Sequence, residues 1–118
     1  MHTEKIVNYY EQLPEENTFM DIMADITHKC NMTCKNCYIP NRDVPDMDLE
    51  KFRDFLSRLK GRCMIRIVGA EPTMNPRCNE YIEAVFEFGH RCILLTNGLR
   101  LSHKSYVDKM HDTGLRHV

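Results

Sequence analysis

The spacing of apolar positions changes repeatedly along this chain, between a run and a helical period. Phe19-Met20-Asp21-Ile22-Met23-Ala24-Asp25-Ile26-Thr27 is a short, mainly apolar run that predicts a first strand, and a polar, cysteine-rich loop follows it. Asp46-Met47-Asp48-Leu49-Glu50 then offers N-cap choices and acidic first-turn residues. Behind it, Leu49, Phe52, Phe55, Leu56 and Leu59 fall at helical spacing, and Gly61 stands where the helix would stop. Cys63–Val68 is a second strand ended by Gly69. Asn79–Phe88 is a second helix with Ile82, Val85 and Phe86 on one face, closed by Gly89. Arg91–Thr96 is a third strand ended by Asn97-Gly98. Ser102 is the expected cap of a third helix through Tyr106, Val107 and Met110, stopping near Gly114. Leu115–Val118 has the pattern of a fourth strand at its start.

Strand–helix alternation of this kind predicts an α/β fold with parallel strands and right-handed crossovers. About three βα units are present, with the start of a fourth strand. The loops that carry Cys, Gly and Glu all follow strands, which places them on the carboxyl-end face where α/β barrels and open sheets bind ligands. Residues 18–118 form the α/β portion, and residues 1–17, with the polar Glu11–Asn17 stretch, are expected to be a leading extension.

Composition narrows the class of protein. Lys+Arg 16 against Asp+Glu 17 gives a net charge of -1, so no overall field points to nucleic acid or an acidic membrane surface. The polar start Met1-His2-Thr3-Glu4-Lys5 leads into no apolar segment of the secretory kind, and no apolar run approaches the ~18 residues of a membrane span. A cytoplasmic location is therefore expected. Six cysteines, three of them within eight residues, then suggest ligands rather than a disulfide framework.

Cys30, Cys34 and Cys37 are separated by three and then two residues. A tight loop of this length can turn three sulfurs around one compact object, and thiolates are the preferred ligands of iron–sulfur clusters. Three ligands on a four-iron cube leave one iron without a protein ligand, as a substrate-binding centre requires. The spacing lacks the fourth nearby cysteine of ferredoxin runs and the second pair of a zinc ribbon. The alternative is a non-catalytic, cysteine-rich module holding zinc or a cluster. Cys63 and Cys92 lie in strand patterns as small buried hydrophobes. Cys78 is expected to be a surface thiol or an auxiliary cluster ligand. His28 is expected to hydrogen-bond locally, the other histidines to lie at the surface, and Met20, Met23 and Met64 to lie in strands lining a barrel.

The Cys30/Cys34/Cys37 loop, Gly69-Ala70-Glu71-Pro72-Thr73 after the second strand and Thr96-Asn97-Gly98 after the third together resemble the radical S-adenosylmethionine (SAM) superfamily. The resemblance covers about Phe19 to Val118. It implies the first half of a partial (βα)6 barrel, a [4Fe–4S] cluster on Cys30, Cys34 and Cys37, and reductive cleavage of SAM to a radical that abstracts hydrogen from a substrate. It also implies an electron donor such as flavodoxin or ferredoxin, and a substrate that is a peptide or a small molecule. By the same resemblance Gly69, Ala70 and Glu71 approach the SAM amino group, and Asn97 reaches the SAM carboxylate or the substrate. Adenine contact comes from the backbone near Asn36 or from the Tyr38 ring. Ala70 stands where the family motif has its second glycine. The strands that complete such a barrel are expected from a longer gene product or from a partner.

Overall fold

The computed structural model describes residues 21–31 and 44–118. Three strands, β1 (Asp21–Asp25), β2 (Met64–Val68) and β3 (Arg91–Leu94), form one parallel sheet in the order β1-β2-β3. Asp21 stands opposite Met64, which stands opposite Arg91, so the strands start level and end level. Among the described residues three α-helices accompany them: α1 (Leu49–Arg58), α2 (Cys78–Glu87) and α3 (Lys104–Asp112).

The expected helix at Leu49 forms for the expected reason. Asp48 is the N-cap, its side chain accepting the backbone N–H groups of Glu50 and Lys51. Leu49, Phe52 and Leu56 lie on the buried face. Asp46, the other cap choice, instead accepts the Thr27 hydroxyl at 2.6 Å and so ties the start of this helix to the end of β1. Helix α2 packs beside α1 through the tilted Phe52–Tyr81 ring pair, with centroids 5.6 Å apart, and through an Arg53–Glu87 ion pair.

Alternation along the strands sorts side chains between two faces. Ile22, Ala24, Ile65, Ile67, Cys92 and Leu94 point into one core with the apolar faces of the helices. On the opposite face the register aligns Met23, Arg66 and Ile93, and Met23 is 62% exposed. Among the described residues one face of the sheet is thus covered and the other is open. Parallel strands in consecutive order are what a barrel wall has, whereas a doubly wound sheet reverses its strand order at a switch point.

Four expectations change. Ser102 does not cap the third helix: it ends a short 3₁₀ turn, Arg100–Ser102, and donates its hydroxyl to the Leu99 carbonyl, so α3 begins after His103. The turn after Gly98 uses up the residues that the apolar spacing had given to the helix. Cys78 is not at the surface: it is 1% exposed, the first residue of α2, pressed into the core. His90 is likewise buried, at 4%, with Nδ1 accepting the Cys63 backbone N–H at 3.1 Å. Leu115–Val118 forms no strand, although the Leu94 N–H on the outer edge of β3 does donate to the His117 carbonyl at 3.2 Å. The leading segment 1–17 lies outside the described residues.

Candidate active site

Three loops meet where the strands end. The first leaves β1 through Ile26-Thr27-His28-Lys29 to Cys30 and Asn31. The second leaves β2 through Gly69-Ala70-Glu71, and the third leaves β3 through Thr96-Asn97-Gly98. Parallel strands that end level bring these segments together although they lie far apart in the chain.

The first two loops are joined through backbone. Ala70 N–H donates to the Thr27 carbonyl and Glu71 N–H to the Lys29 carbonyl, both at 2.9 Å, continuing the β1–β2 ladder beyond the last paired residues. Gly69 is needed for this approach, because a Cβ there would stand 2.5 Å from the Thr27 carbonyl oxygen. Asn75 adds a further tie: its side-chain amide, 2% exposed, donates to the Ile26 carbonyl at 3.0 Å.

The Glu71 carboxylate joins all three loops. It is 1% exposed, and its position is fixed by extended backbone before Pro72. Oε2 accepts from the Thr73 backbone N–H at 3.1 Å, from the Thr73 hydroxyl and from the Thr96 hydroxyl at 2.6 Å. Oε1 accepts the Asn97 backbone N–H at 2.7 Å. A carboxylate has about four acceptor positions, and here four donors of the chain meet it. The Asn97 side chain continues outward: Oδ1 accepts the Leu99 N–H at 3.0 Å, and Nδ2 donates to Asn31 Oδ1 at 2.9 Å. Asn31 directly follows Cys30.

Cys30 carries a half-buried thiol at this junction. Cys34, Cys37, Asn36 and Tyr38 lie outside the described residues. Among the described residues no group of three or more His, Cys, Asp and Glu gathers as a metal site. His28 Nε2 lies 3.4 Å from Asp25, the last residue of β1. The core thiols are unsuited to ligation as they stand: desolvation pushes both Cys78 and Cys92 up to about 12, keeping them protonated. Beside the junction a cavity of about 620 Å³ is lined by Asn31, Leu99, Arg100, His103, Tyr106 and Lys109.

Gly69, Ala70, Glu71 and Asn97 are therefore brought to one place with Cys30. Thr27, Asn31 and Asn75 belong to the same junction and carried no signal by themselves. An Asn or Thr in a loop has a distant partner only after folding, and only the Asn75-Pro76 turn hinted at a fixed side chain.

Level, consecutively ordered parallel strands with a hydrogen-bonded loop junction at their carboxyl ends make an open α/β sheet consistent with part of a barrel. The chain belongs to the radical SAM superfamily, whose profile matches residues 25–118. Similar proteins include 7,8-dihydro-6-hydroxymethylpterin dimethyltransferase of Methanocaldococcus jannaschii, 26% identical over 99 residues, or 77% of this chain and 20% of that protein. An uncharacterized protein of the same organism is 32% identical over 57 residues, or 46% of this chain and 20% of that protein. The chain thus spans only about 20% of the length of the curated relatives it matches. The superfamily is associated with a [4Fe–4S] cluster and SAM. The described part of the site suits that group: Cys30 offers a soft sulfur donor on a loop that two backbone hydrogen bonds hold against β2. No helix among the described residues is long and apolar enough to cross a membrane.

Proposed function

We propose that this chain is the first half of a (βα)6 radical SAM barrel, acting in the cytoplasm, in which Cys30, Cys34 and Cys37 hold a [4Fe–4S] cluster. Held there, the cluster would supply the one electron for reductive cleavage of SAM to methionine and a 5′-deoxyadenosyl radical, the species that would take a hydrogen atom from the substrate. The observation that carries this reading is the junction itself: Lys29 and Asn31 on either side of Cys30, the Gly69-Ala70-Glu71 turn and Asn97 share one hydrogen-bonded cluster at the carboxyl ends of three level strands.

Each residue has a task. The backbone of Gly69 and Ala70 faces the SAM amino group, and the buried Glu71 carboxylate supports that positive charge from behind. Asn97, exposed beside Asn31, meets the SAM carboxylate or the substrate. Adenine is held at Asn36 or Tyr38. The substrate, a peptide or a small molecule, approaches over the open face of the sheet, where Met23, Arg66 and Ile93 project. Arg100 and Lys109 at the cavity beside Asn31 give an acidic electron carrier, a flavodoxin or ferredoxin, a surface of opposite charge close to the cluster loop.

Anaerobic reconstitution with iron and sulfide, followed by EPR of the dithionite-reduced protein with and without SAM, tests the reading. A [4Fe–4S]⁺ signal that changes on adding SAM is expected. A signal indifferent to SAM would leave a cluster module without this chemistry, and stoichiometric zinc with no cluster would replace the reading with a structural metal module.

A further inference from the structure

We infer that Glu71 is a positioning residue, whose carboxylate sets the cluster-bearing loop through Asn97 and Asn31 and does not itself touch SAM. The inference rests on the radical SAM reading of this site and deepens it. A group that binds a ligand must present an accessible lone pair or proton, and Glu71 is 1% exposed, with Oε2 accepting from the Thr73 N–H and from the Thr73 and Thr96 hydroxyls and Oε1 accepting the Asn97 N–H. A bound amino group could reach the carboxylate only by opening this buried cluster of hydrogen bonds.

The same bonds give Glu71 a reach that its own position lacks. The bond to Asn97 N–H fixes the backbone of the third loop at 2.7 Å. Asn97 Oδ1 is then held by Leu99 N–H, which leaves its Nδ2 pointing across to Asn31 Oδ1 at 2.9 Å. Asn31 is bonded to Cys30 through the chain. On the other side, the Glu71 N–H holds the Lys29 carbonyl at 2.9 Å, one residue before Cys30. Cys30 is thus flanked by two contacts that both begin at Glu71, one from its backbone and one relayed from its carboxylate.

The carboxylate is also the group that makes the relay rigid. Its donors come from a turn after β2 and a turn after β3, and charge-assisted hydrogen bonds are the stronger kind. A glutamine in its place keeps the shape but offers one acceptor oxygen and turns an NH₂ toward donors, so at least one of the Thr96–Asn97 contacts must open. Asn31→Ala removes only the outermost link and touches nothing in the core, because Asn31 is exposed.

The test is a double-mutant cycle of Glu71→Gln and Asn31→Ala in this chain, with two readouts. In the metal-free protein, amide hydrogen exchange is followed by NMR. Glu71→Gln should speed exchange at Asn97 by at least tenfold and shift the Cys30 and Asn31 amide resonances, while Ile65, Ile67 and Leu94 keep their protection. In the reconstituted protein, both single variants should alter the EPR line shape of the reduced cluster in the same sense, and the double variant should match Glu71→Gln alone. Additive effects of the two substitutions would overturn the inference. So would a Glu71→Gln variant with unshifted Cys30 and Asn31 resonances that loses only affinity for SAM, since Glu71 would then be a direct ligand. Equal acceleration of exchange throughout the core would overturn it too, by showing a merely structural part. If the unsubstituted chain takes up no cluster, the radical SAM reading fails, and the exchange arm still decides whether Glu71 sets the loop.

Discussion

The space between Gly69 and Thr27 admits no side chain: a Cβ on Gly69 would stand 2.5 Å from the Thr27 carbonyl oxygen and 3.2 Å from its Cγ2. The obstacle is backbone, and that same carbonyl accepts the Ala70 N–H at 2.9 Å, so it cannot move away without loss. Gly69→Ala should therefore destabilise the fold by about 1–3 kcal/mol, the usual cost of forcing atoms into a filled space. Urea titration followed by circular dichroism measures it. A midpoint unchanged from the parent chain would mean that the two loops separate easily.

Thr96 serves Glu71 and its own turn at once. Its hydroxyl donates to Glu71 Oε2 at 2.6 Å and accepts the Gly98 N–H at 3.1 Å. Thr96→Val keeps the shape and removes both bonds, next to a carboxylate that stays buried. A loss of about 1–3 kcal/mol is expected, the cost of leaving buried polar groups unmet. Thr96→Ser restores the hydroxyl and should recover most of that loss. A serine variant that loses stability while the valine variant keeps it would assign the effect to packing of the methyl group instead.

How much of this was legible in the sequence depended on the range of the interaction that decides it. The helix at Leu49 announces itself through Asp48 and the spacing of Leu49, Phe52 and Leu56, all local, and its observed start agrees. The strands around Ile65 and Ile93 announce themselves by apolar runs, with ends displaced by one or two residues. Cys78 and His90 were misplaced because burial of a single thiol or imidazole depends on what folds over it. For His90 that partner is the Cys63 backbone, 27 residues away. The Glu71 network was visible as a motif but not as a mechanism. Its donors at Thr96 and Asn97 are 25 and 26 residues distant, and nothing local says that they will turn inward.

Asp21 and Arg66 make a forked pair on the open face of the sheet. Arg66 Nε lies 2.8 Å from Oδ1, and Nη2 lies 2.9 Å from Oδ2. The hydrogen bond from Arg66 first, and its charge in addition, hold the Asp21 carboxyl below its ordinary 3.8, against a smaller opposing effect of desolvation. A carboxyl depressed in the folded state stabilises above its unfolded value, and that contribution is lost as pH falls through the folded one. Arg66→Gln should move the Asp21 titration upward, toward the ordinary value, in carboxyl-detected NMR. An unmoved titration would show that the pair opens in solution.

Cys78 and Cys92 give the chain a stability limit in alkali. Desolvation raises both thiols to about 12; a hydrogen bond with Tyr106 works against this at Cys78, and the charge of Cys78 adds to it at Cys92. In the unfolded chain each returns to about its ordinary 9.0. Below pH 9 both states hold the proton and stability does not depend on these groups. Above it the unfolded chain releases protons that the folded chain retains, so stability falls with rising pH until the folded thiols ionise near 12. The expected slope is about 1.4 kcal/mol per pH unit for each thiol. Tyr81 and Tyr106 are also raised by burial, and they add to the slope mainly above their ordinary 10.0. The slope between pH 9 and 10 therefore comes chiefly from the thiols. A Cys78→Ala, Cys92→Ala variant is less stable at neutral pH because it leaves small cavities, yet its stability should be flat across that interval. A parent chain equally flat there would mean that the thiols ionise within the fold.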